Sequence, residues 1–160
     1  MAGKRKVIFI CSRNAARSQM AEGIRRALYG DLYEASSAGL RASRLSRTAV
    51  RVMNEIGIDI SGHRSKSVEE FAGTVFDIVV TVCDEAACVP RHLLPRGKTY
   101  RHVEFPDPGA LAGNEGEVLA GYRGIRDRIR AWIRDEFSPG GSPGQADMEG
   151  SPPPPDLQKT

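Results

Sequence analysis

Val7-Ile8-Phe9-Ile10 is an unbroken apolar run of β-branched and aromatic residues, and it stops at Cys11. Such a run predicts a short strand buried on both faces. The pattern then changes period. From Ser18, Met20, Ile24 and Leu28 recur every four residues with Ala21 and Ala27 beside them, which predicts an amphipathic helix with Met20 and Leu28 in the core, ending at Gly30. Tyr33–Ser37 reads as a second strand closing at Ala38-Gly39, where glycine is expected to supply the positive φ of a tight turn. Ala49, Val52, Met53 and Ile56 share one face of a helix over Ser46–Ile56 that ends at Gly57. Ser67-Val68-Glu69-Glu70 has the form of a capping box and predicts another short helix.

Phe76-Asp77-Ile78-Val79-Val80-Thr81-Val82 is the strongest strand signal, of the kind found inside parallel sheets, and Cys83 follows it directly. A last strand is expected over Thr99–Glu104, just before Phe105-Pro106-Asp107-Pro108. Glu115–Phe137 is a long helix with Val118, Tyr122, Ile125, Ile129, Trp132 and Ile133 on one side. Arg126, Arg128, Arg130 and Arg134 are expected on its solvated face. Strands alternating with helices predict an α/β fold: a doubly wound, mostly parallel four-stranded sheet with helices on both faces. Ligands in such folds bind beyond the C-terminal strand ends. Here three of those ends deliver Cys11, Cys83 and Asp107 to one edge.

That convergence gives the stretch from Cys11 to Ser18 chemical meaning. A strand, a tight loop and a helix N-terminus place a thiol at the start of the loop and the guanidinium of Arg17 at its end. The amides of Ser12, Arg13, Asn14, Ala15 and Ala16, together with the helix dipole, suit a tetrahedral oxyanion. Arg17 can hold two of its oxygens through its planar fork. The same field favours a thiolate, and the Ser18 hydroxyl can donate to the sulfur. Cys11 is therefore the expected nucleophile. The bare Cys-x5-Arg spacing is common in so arginine-rich a chain; its position between a strand and a helix is not. Asp107, held between two prolines, is the candidate general acid. Cys83 and Cys88 suggest a thiol relay. Five residues along an ideal helix separate two Cα atoms by roughly 8–9 Å, whereas a disulfide needs about 4.4–6.8 Å. The 84–87 segment is therefore expected to be irregular and mobile.

Composition narrows the classes. A chain of 160 residues is expected to form one catalytic domain over 1–137, with a disordered Gly/Pro/Ser-rich tail over 138–160 in which Pro152–Pro155 is extended. The net charge is +3, and the tail carries Asp147, Glu149 and Asp156 against Lys159, so the body is near +5. That suits small anionic substrates. No basic stripe interleaved with aromatics argues for nucleic acid, and no run reaches membrane-spanning length. No signal peptide is evident, so the cytoplasm is the expected location. Three cysteines, an odd number, argue against a structural disulfide framework. His63, His92 and His102 are scattered and read as surface or core residues. No metal and no cofactor is expected.

With these residues assembled, the chain resembles the low-molecular-weight phosphotyrosine phosphatase superfamily, and within it the thioredoxin-coupled arsenate reductases. The likeness is carried by Cys11-x5-Arg17-Ser18 with Gln19-Met20-Ala21-Glu22-Gly23, by Ser37-Ala38-Gly39, and by Gly57-Ile58-Asp59-Ile60-Ser61. It continues through Val79-Val80-Thr81-Val82-Cys83-Asp84, Phe105-Pro106-Asp107-Pro108 and Tyr122-Arg123-Gly124-Ile125-Arg126-Asp127. The resemblance implies that Cys11 attacks arsenate held by the loop and Arg17, that Cys83 then attacks the Cys11 sulfur and expels arsenite, and that Cys88 resolves the disulfide. Asp107 would move the proton. A thioredoxin or another thiol reductant would be the partner, arsenate or phosphate the ligand, and a monomer the expected state. The alternative it implies is a phosphatase for tyrosine or aryl phosphates working through a phosphocysteine. Against that stand Gly109-Ala110-Leu111 in place of an aromatic wall, and two further cysteines with no task. An oxyanion-binding module without turnover is the third class. The chain departs from the family in three places: four residues lie between Cys83 and Cys88 where about six are usual, Arg13 stands at a usually uncharged position, and Ala16 replaces a second loop cysteine. Some members hold potassium with an Asn, a Glu, a Ser and an Asp; Asn14, Glu22 and Ser37 match, Lys66 takes the fourth place, and no potassium dependence is expected.

Overall fold

A computed structural model describes residues 4–83 and 89–137. Cys88, the expected mobility of 84–87 and the expected disorder of 138–160 lie outside the described residues. Four strands form one sheet: β1 (Arg5–Cys11), β2 (Tyr33–Gly39), β3 (Val75–Thr81) and β4 (Arg96–His102). Their order is β2-β1-β3-β4 and every pairing is parallel. Among the described residues three α-helices accompany them: α1 (Arg17–Tyr29), α2 (Arg47–Asn54) and α3 (Glu115–Phe137). The chain leaves β1 toward β2 on one side and later returns to place β3 on the other. The C-terminal end of β1 is therefore the switch point at which such sheets bind ligands.

The apolar runs form the strands that they predict. Val7 through Cys11 is buried without a break, so both faces of β1 are covered. Phe9 meets the ring of Phe137 edge-on at 6.4 Å, and this contact brings the end of α3 onto the sheet. In α1 the buried stripe passes through Met20, Ala21, Ile24 and Arg25, and α1 packs against α3.

Several expectations need correction. Leu28 is 40% exposed and not a core residue, because Arg25 takes the interior place in that part of the helix. The Arg25 guanidinium lies 3.7 Å from the ring centre of Tyr33 and 4.0 Å from that of Phe137. Burial pulls it down to a pKa of about 10, against the opposing pull of the two nearby tyrosines. β4 begins and ends earlier than the expected Thr99–Glu104. It is an edge strand with no clear apolar alternation, placed by pairing with β3 and by Gly97, where a Cβ would stand 2.5 Å from Val79 Cγ2. Arg126 is not on the solvated face of α3: it is 7% exposed, and its Nη1 donates to Val52 O and to Glu55 Oε1, both at 2.9 Å. The Ser67 box closes only a single 3-10 turn, Val68–Phe71. Ser67 Oγ accepts from Glu69 N, while Glu70 pairs with Arg64.

Candidate active site

The loop from Cys11 to Arg17 is held by backbone contacts that its neighbours provide. Leu40 N donates to Cys11 O at 3.1 Å, Arg41 N to Ser12 O at 3.1 Å, and Ser46 N to Ala15 O at 2.9 Å. Gly39 makes this approach feasible. Its φ is not positive, contrary to expectation; instead a Cβ there would stand 2.7 Å from Arg13 C, Arg41 O and Asn14 N. The glycine is required by a close passage of two backbones.

Asn14 is the pivot of the loop. It adopts φ 55°, in the left-handed region that asparagine tolerates better than most residues. Its amide N lies 3.2 Å from Cys11 Sγ, and its Nδ2 donates to Ser18 Oγ at 2.8 Å and to Ser37 Oγ at 3.0 Å. Ser18 Oγ in turn lies 2.8 Å from Cys11 Sγ. Because Ser18 Oγ accepts from Asn14, its own hydrogen is available to the sulfur. Two donors thus converge on the Cys11 sulfur.

A cavity of about 170 Å³ opens over the sulfur. Cys11, Ser12, Arg13, Ala15, Ala16 and Arg17 form its floor. Asn14, whose amide is expected among the oxyanion-binding groups, is fully buried and does not line the cavity; its amide N faces the sulfur while its side chain braces the loop from behind. Asp107, Pro108 and Gly109 form one wall, and Ser43, Ser46 and Tyr122 another. Arg17 is 8% exposed, its Nη1 donating to Phe105 O at 3.3 Å and its Nη2 lying 3.7 Å from Asp107 Oδ1. The carbonyl that follows β4 thus aims the guanidinium. Asp107 Oδ1 also accepts from Gly109 N at 2.8 Å, which orients the carboxylate at the start of the Pro108–Ala110 turn. The fold thereby brings Cys11, Arg17, Ser18 and Asp107 together. Cys83 is buried two residues beyond β3, where Val82 N donates to Ile10 O at 2.8 Å, but it does not line the cavity.

Behind the loop lies a polar network that the spacing of residues did not reveal. Gln19 Nε2 lies 2.8 Å from Asn14 Oδ1, 3.1 Å from Asn14 O and 2.9 Å from Arg64 O. Its Oε1 therefore accepts, at 2.9 Å, from Nδ1 of His63. Burial pushes His63 below its ordinary value, with Glu22 pulling the other way. Ser37 Oγ donates to Glu22 Oε1 at 2.6 Å, and Glu22 Oε2 accepts from Arg26 at 2.7 Å. Lys66 Nζ lies 4.0 Å from Glu22 Oε1 and 3.1 Å from Arg64 O; burial lowers its pKa and Glu22 opposes that. This arrangement does not fit an alkali ion. Asn14 Oδ1 already accepts from Gln19 and from Lys66 N, Ser37 is engaged with Glu22 and Asn14, and an ammonium stands beside the carboxylate. On the walls, Ser46 was legible as the start of a helix and Tyr122 as part of the inner face of α3 and of a family motif, whereas nothing in the sequence marked Ser43. Ser46 Oγ and Tyr122 Oη meet at 3.2 Å.

Comparison with known proteins agrees with this geometry. An arsenate reductase of Halalkalibacterium halodurans is 39% identical over 131 residues, covering 82% of this chain and 94% of that protein. A glutaredoxin arsenate reductase of Synechocystis is 33% identical, covering 82% and 95%. A solved structure of an arsenate reductase in the phosphate binding state superposes with a TM-score of 0.70 at 32% identity, covering 81% of this chain and 94% of that one. Residues 6–135 match the family of low molecular weight phosphotyrosine protein phosphatases, and the chain belongs to that family.

Proposed function

We propose that this protein is an arsenate reductase in which Cys11 is the nucleophile and Cys83 and Cys88 complete a thiol relay. The observation that carries the reading is the cavity itself. Cys11 Sγ, with donors from Ser18 and Asn14, sits in a floor closed by Arg17, opposite a carboxylate 3.7 Å from that guanidinium. A tetrahedral oxyanion seated on the loop amides and Arg17 has its central atom in line with the sulfur.

The chemistry is the one that the family resemblance implies for these cysteines. The Cys11 thiolate forms a bond to arsenic(V), and one oxygen leaves as water with a proton supplied by Asp107. The Cys83 thiolate then attacks the Cys11 sulfur. The sulfur–arsenic bond breaks, its electron pair stays on arsenic, and arsenite leaves as a Cys11–Cys83 disulfide forms. Attack of the Cys88 thiolate on Cys83 sulfur regenerates Cys11 and leaves a Cys83–Cys88 disulfide. A dithiol protein returns two electrons and two protons to it. A relative named as a glutaredoxin arsenate reductase and a solved arsenate reductase in the phosphate binding state support a thiol reductant and an oxyanion ligand. The Cys11, Arg17 and Asp107 set would equally support phosphate ester hydrolysis through a phosphocysteine, which the test below separates.

Arsenite formation from arsenate is measured with NADPH, thioredoxin reductase and thioredoxin. Wild type is expected to turn over repeatedly, Cys11→Ser to be inactive and Cys88→Ser to stop after one equivalent. Equal turnover by wild type and Cys88→Ser would reject the last relay step. No arsenite from wild type, with brisk hydrolysis of an aryl phosphate, would reject the reductase reading.

A further inference from the structure

Arg13 is the cation of the cavity that the relay does not use. Its backbone is fixed from behind: Arg13 O accepts from Ser65 Oγ at 2.8 Å, and Ser65 Oγ accepts from Ser43 N at 2.7 Å. The preceding Ser12 O is held by Arg41 N, and the following Asn14 is locked in the left-handed conformation. With its Cα direction set, the side chain extends away from the loop toward the turn after β4. Arg13 Nη2 lies 3.5 Å from the point that a Cβ on Gly109 would occupy, and Asp107 Oδ1 lies 3.2 Å from the same point. The guanidinium therefore reaches across from the Cys11 loop to the Asp107 wall, at the mouth of the cavity that both border. Among the described residues no carboxylate comes within ion-pair distance of it, so its charge is available to a ligand.

We propose that Arg13 determines substrate class, bridging the mouth so that small inorganic oxyanions are bound and bulky phosphate esters are turned away. The proposal deepens the reductase reading of the same cavity and rests on it. An anion attacked in line by Cys11 directs the bond opposite the sulfur outward, toward the mouth and Asp107. In arsenate or phosphate that position carries an oxygen, which the Arg13 fork meets as a charge-assisted acceptor. In an ester it carries an organic group, which must pass through the gap that Arg13 and Gly109 narrow. One side chain thus attracts the first ligand and obstructs the second, a positive and a negative device combined.

The test reads binding directly, through protection of Cys11 from iodoacetamide, followed on the Cys11 peptide by mass. Inorganic phosphate and phenyl phosphate are titrated as protecting ligands in the intact chain, with thermal melts showing that each variant folds. Arg13→Ala is expected to raise the half-protecting phosphate concentration about tenfold to a hundredfold, the loss of one hydrogen bond to a charged group. The same variant should lower the half-protecting concentration of phenyl phosphate. Arg13→Gln keeps the reach without the charge, so it should weaken phosphate similarly while still excluding phenyl phosphate. Equal factors for both ligands in Arg13→Ala, or no change in either, overturn the proposal. Admission of phenyl phosphate by Arg13→Gln as readily as by Arg13→Ala overturns the obstruction. Arsenite formation by wild type is measured alongside. Its absence rejects the reductase reading, whereas the protection pattern alone decides the role of Arg13.

Discussion

Cys11 Sγ has two donors, and each is held by a residue that contributes nothing else to the cavity. Ser18 is the more telling of the two, since Asn14 Nδ2 donates to its oxygen and so leaves the hydroxyl hydrogen free to turn to the sulfur. Ser18→Ala should therefore slow arsenite formation about tenfold to a hundredfold, the cost of one hydrogen bond to a charged group. Steady-state kinetics should place the loss in kcat, with KM for arsenate little changed, because the serine faces the sulfur and not the ligand. A second residue-scale prediction concerns Lys66. Its ammonium stands beside Glu22, and the oxygens around Asn14 and Ser37 already have protein donors. Replacing sodium by potassium at constant ionic strength should leave kcat and KM unchanged. A severalfold rise in activity on adding potassium would show that Lys66 does not take the cation's place.

The element that organises the site is the junction of β1, its loop and α1, and β2 is shaped to receive it. Gly39 ends β2 at the point where the Arg13–Asn14 peptide passes, and every atom that a Cβ would meet there is backbone. Gly39→Ala should cost about 1–3 kcal/mol in a urea denaturation series, as overpacked sites do. It should also weaken protection of Cys11 by phosphate, since the loop is what must move. A different element-scale contact joins α2 to α3. Arg126 Nη1 donates to Val52 O within α2 and to Glu55 just beyond its end. Arg126→Met leaves Glu55 paired with Arg123, so the main loss is the partner of a buried carbonyl, and stability should fall by about 1–3 kcal/mol. A midpoint unchanged in urea would show that the contact contributes nothing.

Across the molecule, Glu55 links α2 to α3 through two arginines, and this pairing gives stability a pH signature. Hydrogen bonds from Arg123 first, and from Arg126, hold Glu55 at about 2, below its ordinary 4.5. The folded value being the depressed one, the stabilisation is complete above about 4.5 and is lost as the pH falls toward 2. Glu55→Gln should therefore narrow the difference between Tm at pH 6 and Tm at pH 3 relative to wild type. An unchanged difference would show that the triad does not carry it. What sequence alone determined is the parallel α/β order and the Cys11, Arg17, Ser18 and Asp107 set. Those signals are local: unbroken apolar runs, a change of period and a motif at a strand end each depend on near neighbours in the chain. What only the tertiary structure decided depends on residues far apart. Arg126 reads as a surface charge until a carbonyl 74 positions away gives it a buried partner, and Arg25, which no pattern marks as interior, is buried against an aromatic ring from α3. Gly39 reads as a turn glycine until the Arg13–Asn14 peptide passes beside it. Asn14 reads only as one of the loop amides until Gln19, Ser37 and Lys66 show that its side chain holds the loop from behind. Periodicity reports which residues share a face of one element, whereas the partner that a polar group finds is set by how separate elements pack.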